Sequence, residues 1–305
     1  MALLQNEVRE LISQKWRPET PRMGSLIHQL FPNEIQFTDF EYGKDVIIPL
    51  ATDGVINRTW DPQTGSKSNY AENKFVKAKL DQVIDIQERI GKYESKALTP
   101  KFLENKLNRL QLQSAEIYDK YDAANLVKDG TAVTDAQPIT KANILDETTK
   151  MRIFTVNNQN EFTNGFLIAT SDVVSYATQA KIMSNAPDGV LNIINGVVGV
   201  INGCYVIEVP KSRLPEDVSM IWVNPTAYAT YTGIDLPFST GIYTDEKYMG
   251  QVYLAEREFF TGKVAVPLSV IYHKATPPAP DKSIKNQIIT DKDKTNKDKK
   301  DKAPK

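Results

Sequence analysis

The residues able to do chemistry are few and far apart. The two histidines, His28 and His273, lie about 245 positions apart. Neither belongs to an H-E-x-x-H or to a cluster at ligand spacing, so a zinc site lacks its raw material. Each is read as a core or surface residue and not as a catalytic base or ligand. Cys204 is the single cysteine, which leaves no internal disulfide and no multi-cysteine metal site, and fits a reducing compartment. The cluster Gly196-Val197-Val198-Gly199-Val200-Ile201-Asn202-Gly203 could let backbone N–H groups approach a phosphate. It matches neither G-x-G-x-x-G nor G-x-x-x-x-G-K-[ST], and it leads into a strand, not a helix N-terminus, so tight turning is its job. G-x-S-x-G is missing as well. Carboxylates are numerous, but sequence alone sets no pair at general acid/base distance. The expectation is a protein that is not an enzyme, with no catalytic, cofactor-binding or metal-binding residue; an α/β enzyme with an unrecognised carboxylate site is the rival.

Composition narrows the class further. The 305 residues are 41% hydrophobic, enough for a real core in one large domain or two small ones. No run approaches the roughly 20 apolar residues of a membrane helix, and Met1 to Glu7 lacks the basic and apolar regions of a secretory signal, so a cytoplasmic protein with no membrane partner is expected. The net charge of −1 is unevenly spread: Asp281 to Lys305 holds nine Lys and five Asp, leaving 28 basic and 33 acidic side chains for residues 1–280. A mildly acidic body lacks the basic footprint of sequence-specific nucleic-acid binding.

The elements that would position these residues follow from periodicity. Asn6 to Ile12 reads as a short helix, and Pro18 and Pro21 then break regular structure. Residues 1–42 are either an arm or a helix and loop folded back on the chain's own core. Lys44 to Leu50 is strand-like, and from Lys74 to Ile86 the even positions Val76, Ala78, Leu80, Ile84 and Ile86 are apolar, a period of two that predicts one strand. The polar stretch Ala51 to Asn73 between them is far longer than a hairpin turn, which predicts a projecting hairpin that needs a partner surface. Thr99-Pro100 caps a helix running to Val127, with Leu103, Leu107, Leu110, Ile117, Tyr121 and Ala124 as its apolar line and Ser114 in the gap. That makes a rod of about 42 Å.

From Gln137 onward the pattern is mixed α/β. Helices are expected over Ile139 to Val156 and from Ser171-Asp172 to about Ile182, with a buried strand at Phe166 to Ile168. A strand pair, Val197 to Val200 and Cys204 to Val209, turns at Gly203. Met220 to Val223 is another strand, Asn224-Pro225-Thr226 should open a helix, and two last strands, Gly250 to Glu258 and Lys263 to His273, should flank a turn at Thr261-Gly262. Pro277 to Pro280 opens a Lys/Asp-rich tail that cannot bury enough apolar area to order itself. The tail reads as a solvated segment, with contact to DNA as the alternative.

The run Ile201-Asn202-Gly203-Cys204-Tyr205-Val206-Ile207-Glu208-Val209-Pro210-Lys211-Ser212-Arg213-Leu214-Pro215, followed by Ile221 to Ala227, resembles the end of the A domain in tailed-phage major capsid proteins of the Hong Kong 97 type. Tyr248 to Tyr253 and Gly262 to Pro267 are similar to that family's terminal strands. The order of parts carries the resemblance over nearly the whole folded chain. It implies an α+β, Hong Kong 97-like capsid fold: an N-terminal arm (1–42), an E-loop hairpin with flanking strands (43–92), a P domain with a spine helix (93–136), an A domain (137–249), returning P-domain strands (250–276) and a disordered tail (277–305).

The resemblance further implies a major capsid protein that self-assembles into hexamers and pentamers of an icosahedral shell around double-stranded DNA, made and assembled in the host bacterial cytoplasm and carried in the virion. A shell protein of an encapsulin-like nanocompartment is the alternative within the same fold. Partners would be further copies of the chain, a portal, a separate scaffolding protein, since 42 residues before the hairpin leave no room for a built-in one, and packaged DNA held non-specifically. Nothing identifies a Lys–Asn cross-linking pair. Trp16 on the arm and Arg58, Trp60 and Tyr70 on the hairpin are the candidate contacts with neighbouring subunits, because aromatic and Arg side chains carry much of interface energy; contacts within the same subunit are the alternative for each.

Overall fold

Helix α1, Gln5–Lys15, turns Val8 and Ile12, one helical turn apart, into the core of its own chain. The helical part of residues 1–42 is thus folded back, the second of the two readings left open by the sequence. The structure, a computed structural model, describes residues 5–15, 24–31, 34–37, 45–50, 74–80, 82–91, 99–158, 160–187, 196–244, 247–249 and 251–275. Trp16, Arg58, Trp60, Tyr70, the stretch 51–73 and the tail from 276 onward lie outside the described residues.

The described strands are β1 (Glu34–Phe37), β2 (Asp45–Leu50), β3 (Lys74–Lys79), β4 (Gln82–Ile90), β5 (Thr131–Ala132), β6 (Phe166–Thr170), β7 (Val197–Ile201), β8 (Cys204–Val209), β9 (Val218–Val223), β10 (Tyr228–Ile242), β11 (Val252–Val264) and β12 (Val270–Lys274). They build three sheets. One is four-stranded in the order β1-β10-β11-β4, one six-stranded in the order β5-β12-β9-β6-β8-β7, and one is the ribbon β2-β3. Three helices follow α1: α2 (Pro100–Asp129), α3 (Ile144–Asn157) and α4 (Ser171–Gln179). The architecture is α+β.

Helix α2 begins as its sequence predicts. The Thr99 hydroxyl accepts the Phe102 N–H at 3.3 Å and Pro100 stands in the first turn, where no N–H is needed. Its 30 residues span about 45 Å. The buried face follows the predicted line as far as Ser114 and then departs from it. Beyond Ser114 it continues through Tyr118, Asp122 and Leu126, with Ala115, Asp119 and Ala123 beside it, while Ile117 is 46% exposed and Ala124 is exposed. Steps of four replace the predicted alternation of three and four, and a ridge of that spacing is what lets a helix lie obliquely over a neighbour. The helix as far as Tyr118 packs with α1 on the four-stranded sheet, where Leu103, Leu107 and Tyr118 meet Ile84, Ile86, Val252, Leu254 and Phe260.

The six-stranded sheet is buried on both faces, so β9 reads as the continuous apolar run Met220-Ile221-Trp222-Val223 without alternation. On one face Leu167, Val206, Met220 and Trp222 meet Ile144 and Met151 of α3 and Val173 and Ala177 of α4. On the other, Ile168, Ile207, Ile221 and Val223 meet Ala123 and Leu126 of α2 together with Ile27, Leu30 and Phe31.

Four sequence expectations are corrected. The strand expected from Lys74 to Ile86 is two strands in different sheets: β3 pairs with β2, and β4 pairs with β11. The period of two survives because fully buried Leu80 forms the corner, packed with Val46, Tyr231 and Phe259. The helix expected after Asn224 is a single turn, Pro225–Ala227, capped by the Asn224 side chain at 3.1 Å from Thr226 N. The aromatic and β-branched run beyond it makes the 15-residue strand β10. Thr261-Gly262 is no turn: β11 runs through it to Val264. Gly262 is there because the Tyr228 hydroxyl occupies the space that a Cβ would need. Helix α3 starts at Ile144, not Ile139, since the Asn143 side chain accepts the Thr140 N–H at 2.7 Å and closes a turn ahead of it. The predicted turn at Gly203 is present, with Asn202 and Gly203 at φ 51° and 84° between β7 and β8.

Candidate functional site

Two carboxylates on adjoining turns of α2, Asp119 and Asp122, organise the junction between the two larger sheets. Asp119 is fully buried and accepts the backbone N–H groups of Leu26, Ile27 and His28 at 2.8–3.2 Å. Arg213, from the turn Lys211–Arg213 after β8, donates to the same carboxylate. Burial pushes the Asp119 carboxyl above its ordinary value, against the pull of those three N–H groups and the guanidinium. Asp122 accepts from the Tyr228 hydroxyl and from His28 Nδ1, both at 2.7 Å. Burial, then the charge on Asp122, holds the Tyr228 phenol well above its ordinary value. Asn125, one turn further on, donates to the Gly262 carbonyl at 3.2 Å. One face of one helix therefore ties together residues 24–31, the end of β8, the start of β10 and the end of β11.

A second buried cluster joins α3 to the six-stranded sheet. Glu147 accepts from His273 Nε2 at 3.0 Å, Lys150 Nζ at 2.7 Å and the Gln137 N–H at 3.2 Å. Burial raises its carboxyl, and the three donors outweigh that and bring it below its ordinary value. Both histidines are thus paired with carboxylates inside the protein. Cys204 is buried, with its thiol pushed up to about 12 by burial, so it is a packed small side chain and not a nucleophile. Among the described residues no group of three or more His, Cys, Asp or Glu could hold a metal ion.

The sequence missed Asp119, Asp122, Glu147 and Arg213. The only signal was two Asp, poor helix formers, spaced three apart inside a long helix; the expected apolar line left both on the solvent side.

Apolar side chains remain uncovered on the outside of the described chain. The ribbon β2-β3 rests on the four-stranded sheet through Val46, while its neighbour Ile47 is 60% exposed on the opposite face. Helix α3 exposes Leu145, Ile153 and Val156, and α2 exposes Phe102 and Leu112. Among the described residues no helix is long and apolar enough to cross a membrane.

No family model matches the sequence, and no curated protein does. Solved structures do match. The capsid of cyanophage P-SCSP1u superposes with a TM-score of 0.58 at 10% identity, covering 84% of this chain and 89% of that one. The mature capsid of bacteriophage PhiM1 gives 0.55 at 15% identity, covering 85% and 87%. A virus-like particle from Pyrococcus furiosus gives 0.52 at 9% identity, covering 88% and 98%. Identities this low speak for architecture alone, and that architecture is the Hong Kong 97-type capsid fold.

Proposed function

We propose that this chain is the major capsid protein of a tailed bacteriophage, working by assembly and not by catalysis. The observation that carries the reading is the extent of the likeness: two phage capsid structures align with 84–85% of the chain and with 87–89% of their own. In this reading α2 is the spine helix, the four-stranded sheet belongs to the P domain, the six-stranded sheet to the A domain, and β2-β3 is the stem of the E-loop. Copies join as hexamers and pentamers of an icosahedral shell around double-stranded DNA. A portal and a separate scaffolding protein are the expected partners, and the host cytoplasm the site of assembly. Uncovered Ile47 on the ribbon supports a neighbour lying over that face. Trp16, Arg58, Trp60 and Tyr70 are the side chains assigned to inter-subunit contacts.

Negative-stain microscopy of the purified protein, with light scattering, tests the reading. Capsomers or closed shells are expected. A monomer or small oligomer that never assembles, whatever the protein and salt concentrations, sinks it.

A second reading keeps the fold and changes the contents. The likeness to the Pyrococcus furiosus particle, which covers 98% of that chain, favours a cellular nanocompartment that encloses protein. Particles isolated from the native source separate the two: nucleic acid and a portal vertex mark a phage head, a protein cargo marks a compartment.

A further inference from the structure

A cleft of about 730 Å³ opens at the end of the six-stranded sheet where β6 and β12 finish and β9 begins. Ile139, Val173, Tyr176, Leu214 and Pro215 supply its apolar lining. Asp172, Glu216 and Asp217, all exposed, set an acidic rim that Lys211 offsets only in part. Ala275, the residue after β12 and the last one described before the tail, also lines it. The chain therefore leaves the sheet inside the cleft.

Ala275 is succeeded by Thr276-Pro277-Pro278-Ala279-Pro280. Three prolines in four residues cannot continue a strand, because each lacks an N–H, and they favour the polyproline II conformation. Such segments dock in grooves lined by aromatic and apolar side chains; at about 3.1 Å per residue these five span roughly 16 Å. The 25 residues beyond them hold nine Lys and five Asp, a net positive charge that complements the acidic rim. With Ala275 already in the cleft, the segment reaches its seat without the entropy cost of bringing two molecules together.

We propose that the cleft between α4, the 211–219 turn and Ile139 is the docking site of this chain's own Thr276–Pro280, held on Tyr176, with the Lys-rich remainder leaving across the acidic rim. The site fixes the face of the subunit from which the tail emerges. This inference stands on the cleft and the chain path, and is independent of what the subunit encloses.

Disulfide trapping in the full chain tests it, since buried Cys204 stays unreactive. Ser212→Cys on the cleft, paired with Ala279→Cys, keeps all three prolines. A bond within one chain should form at least about tenfold faster than with Lys128→Cys at the far end of α2, and Tyr176→Ala or Pro277→Ser with Pro278→Ser should slow it several-fold. A rate indifferent to Tyr176 and the prolines means mere tethering and overturns the proposal. So does a bond that joins two chains, which would seat a neighbour's tail in the cleft. If the double-cysteine chain does not fold, hydrogen exchange of residues 211–219 replaces it: exchange must speed up in Tyr176→Ala relative to the unsubstituted chain, and equal rates overturn the proposal.

Discussion

Removing the Asp119 carboxylate would leave Arg213 and three backbone N–H groups inside the protein without their acceptor. Breaking a buried pair from one side costs far more than the pair itself contributes, so Asp119→Ala should lose about 3–5 kcal/mol of stability. A loss under about 1 kcal/mol in urea unfolding would show that the strap of residues 24–31 is not held there. Glu147 carries the pH dependence. Its folded-state pKa lies below the ordinary value of 4.5, so its contribution is present above that value and disappears as the pH falls through the folded one. Between about pH 6 and pH 3 the melting-temperature gap between the unsubstituted chain and Glu147→Gln should narrow. A constant gap would assign the pair no linkage. Gly262→Ala sets a methyl group against the Tyr228 hydroxyl, and overpacking of this kind should cost about 1–3 kcal/mol by the same urea measurement. None of these partnerships was legible in the sequence. His28 finds Asp122 across 94 positions and His273 finds Glu147 across 126, and residue spacing along a chain says nothing about pairings made by tertiary contact.

At the scale of elements, local signals succeeded where they had no competitor. The cap at Thr99, the apolar runs of the strand pair β7 and β8 and the turn at Gly203 are short-range, and each produced its element. The Asn224-Pro225 start signal was also genuine, but the strand-forming run from Tyr228, paired along both β1 and β11, overrides it after one turn. The same competition moves the buried stripe of α2. A direct check compares two adjacent residues: Tyr118→Ala, fully buried against Phe260 and His28, should cost about 3–5 kcal/mol, and Ile117→Ala under about 1. Reversed magnitudes would restore the line drawn from sequence.

For the whole molecule, the sequence supplied the order of the described helices and strands, and that order survived the misplacement of several boundaries. It could not supply the sheet partners, which join β4 to β11 and β1 to β10 over more than 160 residues. The function assigned to 51–73 belongs at this scale too. Deleting Thr52 to Asn69 should leave a chain with unchanged circular dichroism that yields no closed particles by microscopy, because the loss falls on contacts between copies. Particles at the normal yield would place assembly elsewhere.

The four-stranded sheet has its two central strands, β10 and β11, late in the chain, and its two edges, β1 and β4, early. A ribosome adding about 5–20 residues per second needs roughly 10–45 s to travel from Phe37 to Val264. Through most of that interval β1 waits for β10 and β4 for β11, and pairing across such distances is slow even once the partners exist. Until β11 is made, a nascent chain therefore offers another copy no finished four-stranded sheet to settle on.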